Sequence, residues 1–218
     1  MKDFHKNTFV NQRIPKQKFY EKIEVTPSLK QMFIDKVKSI YWRNKISQET
    51  TNIAPGKILK EFQVIEINLN YDTFSQELLR QIEKVIPYYI LFLVEYQNRY
   101  QAWIGYKEAI NKKQNSIKVN KYFHTDWFNL EDLPIELEGF SVDDVYRNFM
   151  LQIGGELLNE KSPNENLKDM VARSQEKQAL QRRIDALRVK IYSEKQLNIQ
   201  FELNDELKAL EKELSLLE

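Results

Sequence analysis

Glu61 and Glu66, with Asn68 just beyond them, are the residues of this chain whose types and spacing come nearest to a reaction centre. Paired carboxylates on one strand offer hard oxygen ligands to Mg²⁺, and a lysine on the same strand positions the attacking water and offsets developing charge. That chemistry cleaves phosphodiesters. Here the pattern is incomplete. Asn68 stands where the lysine belongs, and Lys57 and Lys60 lie on the wrong side of Glu66. Lys45 and Lys107 are the lysines that neighbouring elements could bring in. Glu61 and Glu66 are five positions apart, so an unbulged strand points them to opposite faces. No catalytic residue is assigned on this pattern. Glu61 and Glu66 serve only a nuclease alternative, and only that alternative needs a cofactor, Mg²⁺.

Other chemistries lack their residues. The absence of cysteine removes disulfides, thiolate zinc sites and thiol nucleophiles together. His124-x-Asp126 is half of a metal site, and His5 is the other histidine. A surface turn before Trp127 is the far simpler explanation of the pair, so no metal site is expected. There is no Gly-rich phosphate loop and no Gly-x-Ser-x-Gly elbow. Binding remains. Arg13, Lys16, Lys18 and Lys22 are interleaved with Phe19 and Tyr20, a mixture that can track a phosphate backbone and stack bases. Arg13, Lys16 and Lys18 are the expected nucleic-acid contacts. The competing reading tucks Ile14, Phe19 and Ile23 into a core and leaves the lysines in water.

To position these groups the chain must build a sheet. Thr26-Pro27 reads as an N-cap followed by proline at the first helical position, with Leu29, Met32, Phe33 and Val37 as the apolar face. A strand is predicted over Ile40–Ile46, a turn at Ala54-Pro55-Gly56, and a strand over Lys57–Leu69. The end of that strand alternates Ile65, Ile67 and Leu69 against Glu66 and Asn68. Thr73 is expected to cap a second helix that turns Leu78, Leu79, Ile82 and Val85 inward and stops at Pro87. Tyr88–Tyr96 and Tyr100–Lys107 read as a hairpin around Gln97-Asn98-Arg99, and Ser116–Phe123 as a further strand. Ser141-x-x-Asp144 reads as a capping box opening a helix that runs to near Ile153. The expected fold class is α/β of the α+β kind, a mixed, partly antiparallel sheet with flanking helices.

The last part of the chain has a different pattern. Leu180, Ile184, Leu187 and Ile191 recur at four-three-four spacing, and Leu203, Leu207, Leu210, Leu214 and Leu217 continue in the same manner. Each series makes a heptad seam. The step from Ile191 to Leu203 is out of phase, so a break is expected near Leu197–Glu202, giving an antiparallel helical hairpin, a coiled coil. Leu180, Ile184, Leu187, Ile191, Leu207, Leu210 and Leu214 are its expected partner-binding residues. Lys177, Arg182, Arg183, Arg188 and Lys190 on the first helix balance Glu206, Glu211 and Glu213 on the second. With a linker at Ser162-Pro163-Asn164, residues 1–160 form the globular domain and 164–218 the hairpin.

The 218 residues, 42 % hydrophobic and 12 % aromatic, are enough for one packed core with an appendage. A net charge of +1 excludes a uniformly basic nucleic-acid binder. The charge is nevertheless uneven: eleven basic residues precede Glu49, and nine acidic residues lie between Asp126 and Glu160 against Arg147 alone. Such asymmetry can present a basic face to phosphates, or simply two complementary solvated surfaces. The start, Met1-Lys-Asp-Phe-His, lacks the apolar stretch of a signal peptide, and the longest apolar run, Pro87–Val94, is too short to span a bilayer. A cytoplasmic protein without membrane contact is expected.

Several strings resemble, in order and across nearly the whole chain, a bacterial domain-of-unknown-function family numbered four-three-nine-one. They are VNQRIPK (Val10–Lys16), FYEK (Phe19–Lys22), WRNKIS (Trp42–Ser47) with TNI (Thr51–Ile53), EFQVIEI (Glu61–Ile67), IEKVIPYYILFLV (Ile82–Val94) and EKQLNIQFELNDELKALEKEL (Glu194–Leu214). The resemblance implies a setting: family members are often encoded beside helicases and DNA methyltransferases of restriction-type anti-phage loci. It implies no catalytic residue. The expected function is a non-enzymatic accessory or docking subunit of a nucleic-acid-processing anti-phage defence complex, with helicase or methyltransferase partners. One alternative is a Mg²⁺-dependent nuclease of the PD-(D/E)xK kind, whose helix–strand–strand–helix–strand order the predicted elements match. The other is a stand-alone interaction module or homodimer.

Overall fold

Pro27 starts the first helix because Thr26 prepares it: the Thr26 hydroxyl accepts from the Leu29 amide at 3.2 Å, a capped N-terminus with proline where no N–H is needed. In the computed structural model, residue 4 and residues 6–21, 26–111, 116–162 and 165–217 are described, without the side chains of 109–111 and 116–118. They form two compact units, Met1–Gly155 and Glu156–Glu218. Lys22, Ile23, His5 and the Pro163-Asn164 part of the expected linker lie outside the described residues.

In the first unit, β1 (Phe9–Ile14) pairs antiparallel with β2 (Val37–Ser47), which follows α1 (Pro27–Lys36) without a loop. A short helical turn, α2 (Gln48–Thr51), leads toward β3 (Glu61–Leu69), antiparallel to β2. Helix α3 (Gln76–Val85) carries the chain across to β4 (Tyr89–Tyr96), which is parallel to β3. β5 (Arg99–Asn111), β6 (Ser116–His124) and the two-residue β7 (Phe128–Asn129) complete a seven-stranded sheet of order β1-β2-β3-β4-β5-β6, with β7 on β5. Helix α4 (Val142–Gly154) follows. The fold is therefore the expected mixed, mostly antiparallel sheet with flanking helices.

The two sheet faces have separate coverings. Ile40, Ile65, Ile67, Phe92, Val94 and Trp103 pack with Leu29 and Phe33 of α1 and Leu78, Leu79 and Ile82 of α3. On the opposite face Phe62 lies 5.5 Å from Phe149 and Tyr89 4.8 Å from Tyr146, ring centroid to centroid, so α4 covers that end. Burial on both sides makes β4 a nearly continuous hydrophobic run and takes most of β3 out of water, its polar Gln63 and Glu66 included.

Several boundaries differ from the sequence reading. The strand predicted from Lys57 starts at Glu61, because the Ile58 and Leu59 amides are taken by the Asp143 carboxylate at 3.1 and 2.8 Å instead of by a strand. A Cβ at Gly56 would fall 2.2 Å from that carboxylate, so glycine is required there. Ser75, not Thr73, caps α3, its hydroxyl accepting from the Glu77 amide at 3.2 Å. Gln97 and Asn98 both adopt positive φ, the two-residue turn that suits strand twist, and Arg99 already belongs to β5. The Ser141–Asp144 capping box is present at the head of α4. β1 is a strand that the sequence pattern does not predict.

The second unit contains α5 (Leu167–Ser193) and α6 (Leu197–Leu217), packed on each other as a hairpin. Their contact is Leu180, Ile184, Leu187, Leu203 and Leu210, flanked by Ile191, Ile199, Leu207, Leu214 and Leu217. The break sits at Glu194–Gln196, earlier than predicted. There the Glu194 carboxylate accepts from the Lys195 and Gln196 amides at 2.8 and 2.9 Å, and Gln200 donates to the Glu194 carbonyl at 2.7 Å. Leu197 is thus already helical. At the other end Arg173 grips Glu165, holding that carboxyl at about 2, well below its ordinary value. No described helix is long and apolar enough to cross a membrane.

Leu187→Asp and Leu210→Asp should each place a charge in the seam and destabilise the hairpin by at least about 2 kcal/mol. All three tryptophans lie before residue 156. Far-ultraviolet circular dichroism should therefore lose helical signal while the tryptophan-fluorescence melt stays in place; a shared shift of both signals would show that the two units do not fold separately.

Candidate functional site

The structure places Glu61 and Glu66 on opposite faces of β3, as their spacing requires, and gives each a cation. Glu66 is 4 % exposed. Opposite it, β2 carries an extra residue: Trp42 pairs with Ile65 and Asn44 with Val64, leaving Arg43 as the bulge. Arg43 thereby meets Glu66 side-on, with Nε donating to Oε2 at 2.7 Å and Nη2 to Oε1 at 2.6 Å. Its Nη1 donates to the Asn11 side chain, and its guanidinium stands 4.7 Å over the Tyr41 ring. The bond to Glu66 raises the Arg43 guanidinium above its ordinary value.

Asn68, the residue at the lysine position, belongs to the same cluster. With its nitrogen turned to the acids it donates to Glu66 Oε1 at 2.8 Å and Glu95 Oε2 at 3.3 Å and accepts from the Ser39 hydroxyl at 3.0 Å. Burial, then Glu66 and Glu95, push the nearby Tyr100 phenol up. On the other face Lys45 meets Glu61 Oε2 at 2.8 Å, and Gln63 donates to Glu61 Oε1 at 2.9 Å. Hydrogen bonding to Glu61 raises the Lys45 ammonium. Each carboxylate that a metal would need is neutralised by a neighbouring strand's cation, and no three acidic or histidine groups among the described residues are arranged to hold a metal ion.

Lys107, the other lysine considered as a substitute, lies in a third acid–base cluster. Its ammonium is 3.2 Å from Glu83 Oε1, donates to the Tyr88 carbonyl at 2.6 Å, and stands 4.9 Å over the Tyr89 ring. Tyr122 donates to Glu83 Oε2 at 2.8 Å. The paired side chains are only 6 % and 5 % exposed. Burial lowers the Lys107 ammonium and raises the Glu83 carboxyl, each only partly offset by its partner. The cluster ties α3 to β5 and β6. Nothing in the sequence pattern announced it, because Glu83 reads as the polar side of a helix.

Arg13 is exposed on β1, paired with Tyr41 of β2. Lys16 and Lys18 follow in a short 3₁₀ turn over Lys16–Phe19. Lys16 Nζ donates to the Ile34 and Val37 carbonyls at 3.1 and 2.8 Å, at the negative end of α1, so its first role is to finish that helix. Arg13, Lys16, Gln17, Lys38 and Ser39 line an open cavity of about 340 Å³. Phe19 is in the core at 1 % exposure and Ile14 packs against it, as the core reading of this segment expects. His124 stacks on Trp103 at 4.1 Å, with Nδ1 2.9 Å from the Thr125 carbonyl.

The seam residues Leu180, Ile184, Leu187, Ile191, Leu207, Leu210 and Leu214 come together inside the hairpin itself. The large apolar side chains that the hairpin presents outward are Val189, Tyr192, Leu197 and Phe201 near its turn and Leu216 near the end of α6.

A family model described as Domain of unknown function (DUF4391) matches residues 4–214. No curated protein and no solved structure matches the chain.

Lys107→Met should strand the Glu83 carboxylate and cost about 3–5 kcal/mol, whereas the double change Glu83→Leu with Lys107→Met should cost far less, because a buried ion pair is expensive mainly when broken. In the single variant the remaining carboxyl has a folded value above its unfolded one. The folded state then binds more protons across that window, so stability falls as pH rises through it. Urea midpoints should be higher in mild acid than at neutral pH; equal costs for the single and double variants would refute the pairing.

Proposed function

The chain belongs to the DUF4391 family, matched over residues 4–214, and from that premise we propose that it is a non-enzymatic accessory subunit of a cytoplasmic nucleic-acid-processing assembly, in which its globular unit binds nucleic acid and its hairpin docks protein. The observation that carries this reading is the bidentate Arg43–Glu66 pair. The order α1, β2, β3, α3, β4 supports a nuclease-like scaffold, with β2 and β3 antiparallel and β3 and β4 parallel. On that scaffold a metal-binding acid would have to shed a guanidinium before taking Mg²⁺, and the water-positioning lysine is an asparagine. A scaffold of this kind is suited to hold nucleic acid without cutting it.

Support for binding is positional. Arg13, Lys38 and Lys18 cluster around one cavity and the turn beside it, and Tyr41 lies next to Arg13 across the β1–β2 pair. Cations beside a half-exposed aromatic suit a phosphate backbone with a stacked base. The anti-phage setting, with helicase or methyltransferase partners, comes from the family resemblance of the sequence alone.

Purified protein with Mg²⁺ or Mn²⁺ should leave linear, circular and single-stranded substrates intact, and should bind single-stranded oligonucleotides at low salt. Arg13→Glu with Lys18→Glu should weaken binding regardless of sequence and reduce the salt slope by roughly one unit per lost phosphate contact. Lys16 is left in place because its reversal would uncap α1. Metal-dependent cleavage abolished by Glu66→Gln or Glu61→Gln would establish the nuclease instead, and absence of binding at low salt would remove the nucleic-acid role.

A further inference from the structure

We propose that the hairpin is a homodimerisation element, with α5 of one copy lying against α6 of a second copy around a two-fold axis. The inference rests on reading the hairpin as a docking arm and names its occupant.

Two features of the hairpin carry it. The first is an exposed apolar end. Tyr192 is 93 % exposed, Val189 71 %, and Leu197 and Phe201 68 % each. All four flank the turn at Glu194–Gln196, and none belongs to the seam that joins α5 to α6. Four large apolar side chains so close in sequence and left in water mark a contact surface, whereas scattered ones would not.

The second feature is the division of charge, which selects the occupant. Beyond Leu180, α5 carries Arg182, Arg183, Arg188 and Lys190 against Asp185. The facing half of α6 carries Glu202, Asp205 and Glu206 against Lys208. Within the chain, Arg188 Nη2 meets Glu211 Oε1 at 2.7 Å, but Arg182, Arg183, Lys190, Glu202 and Glu206 form no ion pair with a described residue. A nucleic acid would be repelled by α6, and an acidic or basic protein by one helix or the other. A second copy fits both. In an isologous pair every contact occurs twice, so basic α5 meets acidic α6 on each side of the axis while the apolar ends are covered together. The product is a four-helix bundle in which helices of opposite charge alternate.

The test is the mass of the full-length protein by sedimentation equilibrium across micromolar concentrations. Wild type should be a dimer that loosens as salt is raised. Phe201→Glu with Tyr192→Asp should weaken self-association by about tenfold or more, as expected when anchoring aromatics are removed from an interface, while helicity and the intrachain seam persist. Arg182→Glu with Arg183→Glu should do the same. Mixing that variant with a Glu202→Arg, Glu206→Arg variant should restore a dimer containing one of each, a rescue that a merely structural effect would not give. A wild-type monomer at every concentration overturns the proposal, as does a dimer indifferent to all these changes. Oligonucleotide binding, measured on the same samples, reports on the globular unit separately, so a monomer that still binds nucleic acid removes the dimer and leaves the proposed function standing.

Discussion

A carboxylate on a strand covered from both sides must find a cation, and Glu66 imposes that demand on this sheet. Taking a carboxylate out of water costs several kcal/mol unless a partner and further hydrogen bonds replace the lost solvation. Arg43 supplies the partner in the side-on geometry that a guanidinium matches best. It can do so because β2 holds one residue more than β3 at that point. The remaining guanidinium N–H goes to Asn11, which has φ of 50° where the β1 register shifts, and Asn68 supplies Glu66 with another donor. A bulge in β2, an irregular β1 and three polar partners on three strands, Arg43, Asn11 and Asn68, are thus consequences of one buried charge.

The same rule is met at two other acids of the sheet region. Glu61 has Lys45, and Glu83 has Lys107 with the Tyr122 hydroxyl. In each case the cation comes from a different element than the acid, so the ion pairs tie strand to strand and helix to sheet. Net stabilisation from such pairs is small, since desolvation offsets attraction, but an incorrect register would leave an unpaired charge buried and would be rejected. The groups that chemistry would require free are therefore occupied in fixing the sheet. A site that binds a partner without transforming it has no such requirement, and Arg13, Lys18 and Lys38 lie at the sheet's margin, outside these buried pairs.

The regular part of the fold was legible because local signals agreed with the tertiary result. Thr26-Pro27, Ser141 with Asp144, the apolar run at Tyr89–Tyr96 and the leucine spacing of α5 and α6 each specify their element within a few residues. The polar clusters were not legible. Arg43 reaches Glu66 across 23 positions and Lys107 reaches Glu83 across 24, and no periodicity reports a contact between strands. A bulge removes even the parity argument: Trp42 pairs with Ile65 and Asn44 with Val64, so the alternation that holds up to Trp42 is interrupted at Arg43. Lys16 shows the converse. Its type and neighbours suggested a phosphate contact, and its ammonium instead ends on carbonyls of α1, a target that exists only once the helix is built. The start of β3 failed for a similar reason, because Asp143, more than 80 positions away, takes the Ile58 and Leu59 amides.

The hairpin shows where a sequence pattern stops being informative. A heptad seam states that an apolar stripe will be covered, and the nearest covering is the other helix, which arrives after a turn of three residues at Glu194–Gln196. Intrachain pairing has the advantage of high effective concentration over any external partner, so the seam is consumed internally. Specificity toward another chain must then reside in what the seam does not use. On α5 and α6 that remainder is sorted by sign between the helices and ends in Tyr192, Leu197 and Phe201. A surface that carries both halves of a complementary pair on one chain is satisfied by repetition of itself, and two-fold symmetry is the arrangement that satisfies both halves at once.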